Sequence, residues 1–327
     1  MTETEAGFGA AGAVLTDGGI ETALADRLGQ ELPEFAAFVL LDGAEGREAL
    51  RAYYRPFVEL ARRRGLPLVL DTPTWRANPD WAERLGYDAE ALDRANADAV
   101  ALVRGTAEEH DGSGGEGGGA AEILVNGCVG PRYDDYDASQ RMTAEEAERY
   151  HWPQVRALAE AGADRVTAVT TLDAAEGVGV VRAAQRARIP VAVSFVVDAD
   201  GRLAGGGTLA EGIGEVDAAT GGAACGFLVN CAHPDEAAAG LAACAGAPEL
   251  DRIVGFRLNA ARHDETGEGD DPRTFARLEA SLREHAPNAV ALGGCCGTDV
   301  PHIAALAERI APGGPGGPGY GTGIGNR

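Results

Sequence analysis

Short apolar runs alternate with longer amphipathic stretches from one end of the chain to the other. Eight of the runs read as strands: Ala13–Thr16, Leu66–Leu70, Ile123–Asn126, Arg165–Val169, Val191–Val197, Phe227–Asn230, Ile253–Arg257 and Ala289–Leu292. Between most of them the apolar positions recur at helical spacing. The predicted helices are Ala44–Arg64, Tyr87–Glu109, Thr143–Ala161, Ala174–Ala187, Thr208–Thr220, Asp235–Ala243, Arg273–Glu284 and Val300–Ile310. Asp88 is placed to cap the second, and Thr143 followed three residues on by Glu146 is a capping box for the third.

Strands alternating with helices predict a parallel sheet. Eight strands in 327 residues, somewhat beyond the typical ~250, predict a single (β/α)8 TIM barrel of the α/β class. An open doubly wound sheet would want a glycine-rich G-x-G-x-x-G first turn, and Asp17-Gly18-Gly19 is not one. Residues 1–311 are assigned to the barrel. Residues 111–119, nearly all Gly, Ser and acid, are expected to form a flexible loop, and residues 312–327 a disordered Gly/Pro tail. No internal repeat is evident.

Charge narrows the function. The chain has 28 basic and 51 acidic side chains, a net charge of −23, so it lacks the basic surface that a nucleic acid or an anionic membrane requires. Every basic residue is arginine. Without lysine there is no Schiff-base chemistry, no pyridoxal-phosphate anchor and no Walker-A site. Met1–Ala11 has neither the basic start nor the apolar run of a signal peptide, and no stretch is long and apolar enough for a transmembrane helix. Six cysteines in a chain of this length form no disulfide framework. The expected location is the cytoplasm, with reduced thiols available for metal binding or catalysis.

In a barrel the chemistry collects at the C-terminal ends of the strands. Cys231 ends the sixth strand, and Cys295 and Cys296 end the eighth. Alternate strands contribute to the same layer, so all three thiols can meet at the mouth. Gly293, Gly294 and Gly297 would let the chain bend so that both vicinal thiols aim one way. Three thiolates suit Zn²⁺ and leave one tetrahedral position open, the arrangement of a catalytic site. The opposing reading is three buried small hydrophobes. It is preferred for Cys225 and Cys244, Cys128 is undecided, and for the set of three the two readings stand level on spacing alone.

Four segments, Leu15-Thr16-Asp17-Gly18-Gly19, Val129-Gly130-Pro131, Asn230-Cys231 and Gly293-Gly294-Cys295-Cys296-Gly297-Thr298, resemble the homocysteine S-methyltransferase family in order, over about residues 12–310. The closing Gly-Gly-Cys-Cys-Gly-Thr is the most specific of them. The resemblance implies a barrel holding one zinc on Cys231, Cys295 and Cys296. It implies an amino acid held by Asp17, Gly18 and Thr72 or Thr74. Asn230, beside Cys231, is a further candidate for the substrate site that could orient the metal's surroundings, with a plain strand-end turn as the equal alternative. A free thiol, with a pKa of about 8.5, is mostly protonated at neutral pH; on zinc it would be deprotonated and would attack an electrophilic methyl.

One position departs from the pattern. The family usually carries a glutamate at the end of the fourth strand for the substrate ammonium; after Gly162-Ala163-Asp164 this chain has Val169, followed by Thr170 and Thr171. On that ground homocysteine is expected to be a poor acceptor unless Asp173 or Glu176 substitutes. The expected partners are a small thiol acceptor and a small sulfonium or ammonium methyl donor, with no folate or cobalamin module and with assembly into a homo-oligomer left open. Trp75 could face a cationic donor, though packing is the commoner role. Two further readings stay open: a zinc- or thiol-binding barrel without chemistry, and, ranked last, a hydrolase activating water on the same zinc.

Overall fold

Eight parallel strands close into a barrel in sequence order in the computed structural model, which describes residues 12–109, 121–133, 140–263 and 269–310. They are β1 Val14–Thr16, β2 Leu68–Asp71, β3 Ile123–Val129, β4 Arg165–Thr171, β5 Val191–Phe195, β6 Gly226–Asn230, β7 Ile253–Leu258 and β8 Ala291–Gly294. Each pairs with its neighbours in sequence, and β8 closes on β1 through Leu292 against Leu15. The predicted loop 111–119 and tail 312–327 lie outside the described residues.

The eight predicted helices are present, most with their starts shifted by a residue or two. Thr143 caps Ala144–Glu160 with the expected reciprocal bonds to Glu146, and the Asp88 side chain accepts the Ala91 N–H. Two connections are more helical than the apolar spacing predicts. Residues 20–42 contain four short helical pieces, and Pro79–Arg84 forms a helix of its own after β2. Each of these pieces is too short to display a helical period.

Burial explains the layering. One continuous apolar shell lies between strands and helices, with Phe38, Phe57, Phe195, Phe227, Phe256 and Phe275 all fully buried. Inside the barrel a small apolar layer of Val14, Val69, Ala192, Leu228, Val254 and Ala291 fills the N-terminal end. Above it the interior turns polar. Asn126 donates to Asp71 at 2.6 Å and accepts from Thr167 at 2.8 Å and from Arg165 at 3.0 Å. Buried polar groups persist only when bonded to one another in this way, and this network floors the site. Helix Ala44–Arg64 braces the mouth from outside: Tyr53 donates to the Gly18 carbonyl and Tyr54 to the Asp71 carbonyl, each at 2.8 Å.

Candidate functional site

Regular strands alternate their side chains between two faces, so a strand end normally offers a cavity every second residue. Here the rule is broken at four strand ends. Asp71 and Thr72, Val169 and Thr170, Asn230 and Cys231, and Cys295 and Cys296 each line one cavity of about 300 Å³ as consecutive pairs. Thr170 and Cys231 have φ of 60° and 52°, the left-handed region that non-glycine residues seldom occupy except at functional sites. The ladder between β4 and β5 slips between Ala168 and Thr171, a bulge of the kind that re-aims side chains at a barrel rim.

These distortions bring the three predicted thiols together. The Sγ atoms of Cys231, Cys295 and Cys296 all lie within 4.8 Å of one another, and those of Cys231 and Cys295 are 2.7 Å apart. Cys231 is buried, while Cys295 and Cys296 are partly open to the cavity. Hydrogen bonds from Cys295 and Cys296, then from Thr170 and Asn230, draw the Cys231 thiol well below the ordinary range. The bond to Cys231 in turn pushes Cys295 up to about 12. The cluster thus favours a thiolate at its buried corner.

The glycines around the pair work differently from the expectation. Only Gly297 has a positive φ, 74°. Gly293 and Gly294 are required by close approach: a Cβ on the first would collide with Thr16 Oγ1 and on the second with Thr298 Oγ1. The first-strand and eighth-strand motifs also pack directly on each other, with Gly294 N donating to the Asp17 carbonyl at 2.9 Å and Gly19 N to the Thr298 carbonyl at 3.2 Å. Thr298 closes the turn by donating to the Cys295 carbonyl at 2.6 Å.

Of the residues expected to hold substrate, Gly18, Thr72 and Asn230 line the cavity. Asp17 and Thr74 lie behind its wall. Thr74 bonds the Cys128 carbonyl at 2.7 Å and the Thr72 hydroxyl at 2.6 Å. Asp17 is fully buried and accepts from Arg257 at 2.5 Å. Arg257 also pairs with Asp71, so one guanidinium ties β7 to β1 and β2 beneath the cavity. Burial raises the Asp17 carboxyl, and Arg257 opposes the rise. Trp75 lines the cavity, but the Arg76 guanidinium already lies 4.8 Å from its ring. Cys128 lines the cavity apart from the cluster, Cys244 is buried, and Cys225 packs at the other end of the barrel.

Neither proposed stand-in for the fourth-strand glutamate reaches the cavity. Asp173 caps its helix by accepting from Glu176 N. Glu176 accepts from Arg132 N at 2.8 Å and pairs with buried His151 at 2.9 Å. Four charged residues on the cavity wall have no role assigned from sequence: Asp71, which stands at a predicted strand end, and Glu21, Arg76 and Arg257. Burial pushes the Glu21 carboxyl up to about 7; its own main-chain N–H opposes this, Cys295 and Asp71 add to it, and Arg76 opposes it.

Among the described residues no helix is long and apolar enough to cross a membrane. No curated protein sequence matches the chain. Solved structures of homocysteine methyltransferase MmuM from Escherichia coli share the fold. The metallated form matches with a TM-score of 0.72 at 23% identity, covering 92% of this chain and 97% of that one. The oxidized form matches with a TM-score of 0.72 at 23% identity, over 91% and 96%, and the apo form with 0.65 at 24% identity, over 91% and 95%. The family model described as homocysteine S-methyltransferase matches residues 14–310; with the motifs of β1 and β8 packed together around the thiol cluster, the chain belongs to the homocysteine S-methyltransferase family.

Proposed function

We propose that the protein is a zinc-dependent thiol S-methyltransferase that moves a methyl group from a small sulfonium or ammonium donor to a small thiol of the homocysteine type. The observation that carries this reading is the convergence of Cys231, Cys295 and Cys296 within 4.8 Å at the wall of a substrate-sized cavity. A thiol-only donor set is soft and suits Zn²⁺ over hard cations. When bound by these three cysteines, zinc supplies a Lewis acid that keeps an acceptor sulfur in its thiolate form at neutral pH.

The rest follows from the chain's own residues. The acceptor sulfur attacks the donor methyl carbon. A new S–C bond forms as the C–S⁺ or C–N⁺ bond breaks, its electron pair leaving on the donor heteroatom, which becomes neutral. The thiol proton is lost to solvent. Direct displacement needs no general acid. The buried side of the cluster is held by Asn230 and Thr170, and Phe35 and Trp75 add aromatic faces to the cavity wall. All six cysteines are free, and a reducing compartment such as the cytoplasm is part of the proposal.

The test is turnover of the zinc-loaded protein against a panel of small thiols paired with S-methylmethionine, S-adenosylmethionine and betaine. Methylated thiol and demethylated donor in equal amounts support the reading. Stoichiometric zinc and thiol binding with no methyl transfer to any acceptor replaces it with the non-catalytic barrel, which Val169 favours.

A further inference from the structure

In and just behind the cavity wall stand three acids, Asp17, Asp71 and Glu21, against two arginines, Arg76 and Arg257, so the acids are in excess by one. Arg257 is held between Asp17 and Asp71. Arg76 donates to the Glu34 carbonyl, and its guanidinium lies 3.8 Å from the Trp81 ring centroid and 4.8 Å from that of Trp75. Glu21 lines the cavity on the first turn after β1, beside the segment that packs on Cys295, and among the described residues it forms no ion pair. Glu21 is half-buried, and a carboxylate partly withdrawn from water gains from a cation that pairs with it. A ligand complementary to this wall therefore carries two groups: a thiol for the cysteine cluster and a cation for Glu21.

The type of cation can be argued from hydrogen bonding. A sulfonium or quaternary ammonium centre is wrapped in carbon, has no N–H and is best served by an aromatic face. A primary ammonium has three N–H donors that need acceptors. Glu21 offers two carboxylate oxygens. The fourth strand offers the apolar Val169, and the Thr170 hydroxyl is already bonded to Asn230 Nδ2 at 3.0 Å.

We infer that Glu21 is a specificity-determining residue whose carboxylate holds the ammonium of an aminothiol acceptor, from the first strand rather than the fourth. This rests on the thiol methyltransferase reading above, and it reverses the expectation drawn from Val169 alone. Homocysteine then remains a good acceptor, recognised by a different wall of the same cavity.

The experiment compares homocysteine with 4-mercaptobutyrate, which keeps the thiol and carboxylate and lacks the ammonium, in wild type, Glu21→Gln, Glu21→Asp and Glu21→Gln/Val169→Glu. Calorimetric Kd and kcat/KM are measured for each thiol, with zinc content checked throughout. Wild type is expected to prefer homocysteine. Glu21→Gln should weaken homocysteine about tenfold to a hundredfold relative to 4-mercaptobutyrate, the loss of one charge-assisted hydrogen bond. Glu21→Asp should recover part of the preference, and so should the double variant. An unchanged thiol ratio in Glu21→Gln overturns the inference, as does an effect confined to the KM of the methyl donor. Wild type that methylates 4-mercaptobutyrate as well as homocysteine also overturns it while leaving the methyltransferase reading intact. Glu21-dependent binding of homocysteine without methyl transfer has the opposite meaning: the inference stands and the methyltransferase reading falls.

Discussion

Thr170 and Asn230, 60 residues apart in sequence, are locked by two hydrogen bonds running in opposite directions. The Thr170 main-chain N–H donates to Asn230 Oδ1 at 3.0 Å, and Asn230 Nδ2 donates to Thr170 Oγ1 at 3.0 Å. Ser194 donates to the same Oδ1 at 2.6 Å, and the Thr170 hydroxyl donates to Cys231 Sγ at 3.7 Å. The chain therefore fixes a buried thiol through a side-chain network spanning β4, β5 and β6. The two residues with left-handed φ at this corner, Thr170 and Cys231, are the ones this network restrains.

Asn230→Ala tests that network. It strands the Thr170 N–H and the Ser194 hydroxyl in the interior, at about 1–3 kcal/mol for each unsatisfied group. Loss of a residue that supports metal ligands typically lowers metal affinity about 10- to 100-fold. The expected outcome is a protein that folds, unfolds at lower urea and gives up zinc more readily to a chromophoric chelator. Zinc affinity equal to that of wild type would mean that Cys231 is held by its backbone alone.

The cluster should bind one zinc per chain, and Cys295→Ala should lose most of it by elemental analysis. The apolar shell between strands and helices does not use the metal. Chelation should therefore abolish methyl transfer while leaving far-ultraviolet circular dichroism unchanged, with activity returning on adding zinc. X-ray absorption at the zinc edge should show a sulfur gained when the acceptor thiol is present. A sulfur count that stays the same under saturating, active substrate would rule out direct binding of the thiol to the metal.

Arg257→Met probes the floor. The substitution leaves Asp17 and Asp71 buried, at 0% and 5% exposure, without their shared cation. Breaking a buried ion pair from one side typically costs about 3–5 kcal/mol, read as a lower midpoint in urea unfolding. Neutralising both acids in the same protein, Arg257→Met with Asp17→Asn and Asp71→Asn, should recover a large part of that loss. No recovery would mean that Arg257 acts through packing rather than charge.

The barrel was legible because every strand is a short apolar run flanked by turn residues, and the thiol cluster because Gly-Gly-Cys-Cys-Gly-Thr closes a series of family-like motifs at the predicted strand ends. The pieces at 20–42 escaped because Gly29 and Pro33 cut the segment before any period can develop. Arg257 escaped for a different reason. Its partners lie 186 and 240 residues away, and a lone arginine on a strand looks the same with or without them. Glu21 follows the two glycines of the first turn, where an acid reads as an ordinary helix-start residue. Only the closed barrel brings it to the same cavity as Cys295. Gly293 and Gly294 read as bend glycines in sequence because which side chains pack over a glycine is a tertiary fact.

Glu279 gives a pH test of the eighth strand's support. Its side chain is fully buried; one oxygen accepts the Gly293 N–H at 2.9 Å, and among the described residues the other has no hydrogen-bond partner. Burial raises its carboxyl well above the usual 4.5; the Gly293 N–H and Arg257 only partly oppose the rise. The native state therefore keeps a proton that the unfolded chain releases above about pH 4.5. Because the unfolded state binds fewer protons in that window, wild-type stability falls as pH rises from 4.5 toward the raised native value, by at most about 1.4 kcal/mol per unit. Glu279→Gln keeps an acceptor for Gly293 and removes the titration. Urea unfolding of both proteins from pH 5 to pH 8 should show the Gln variant gaining on wild type steadily as pH increases. Parallel stability curves would mean that Glu279 is ionised in the folded protein across the range, and that its charge is balanced through Arg257.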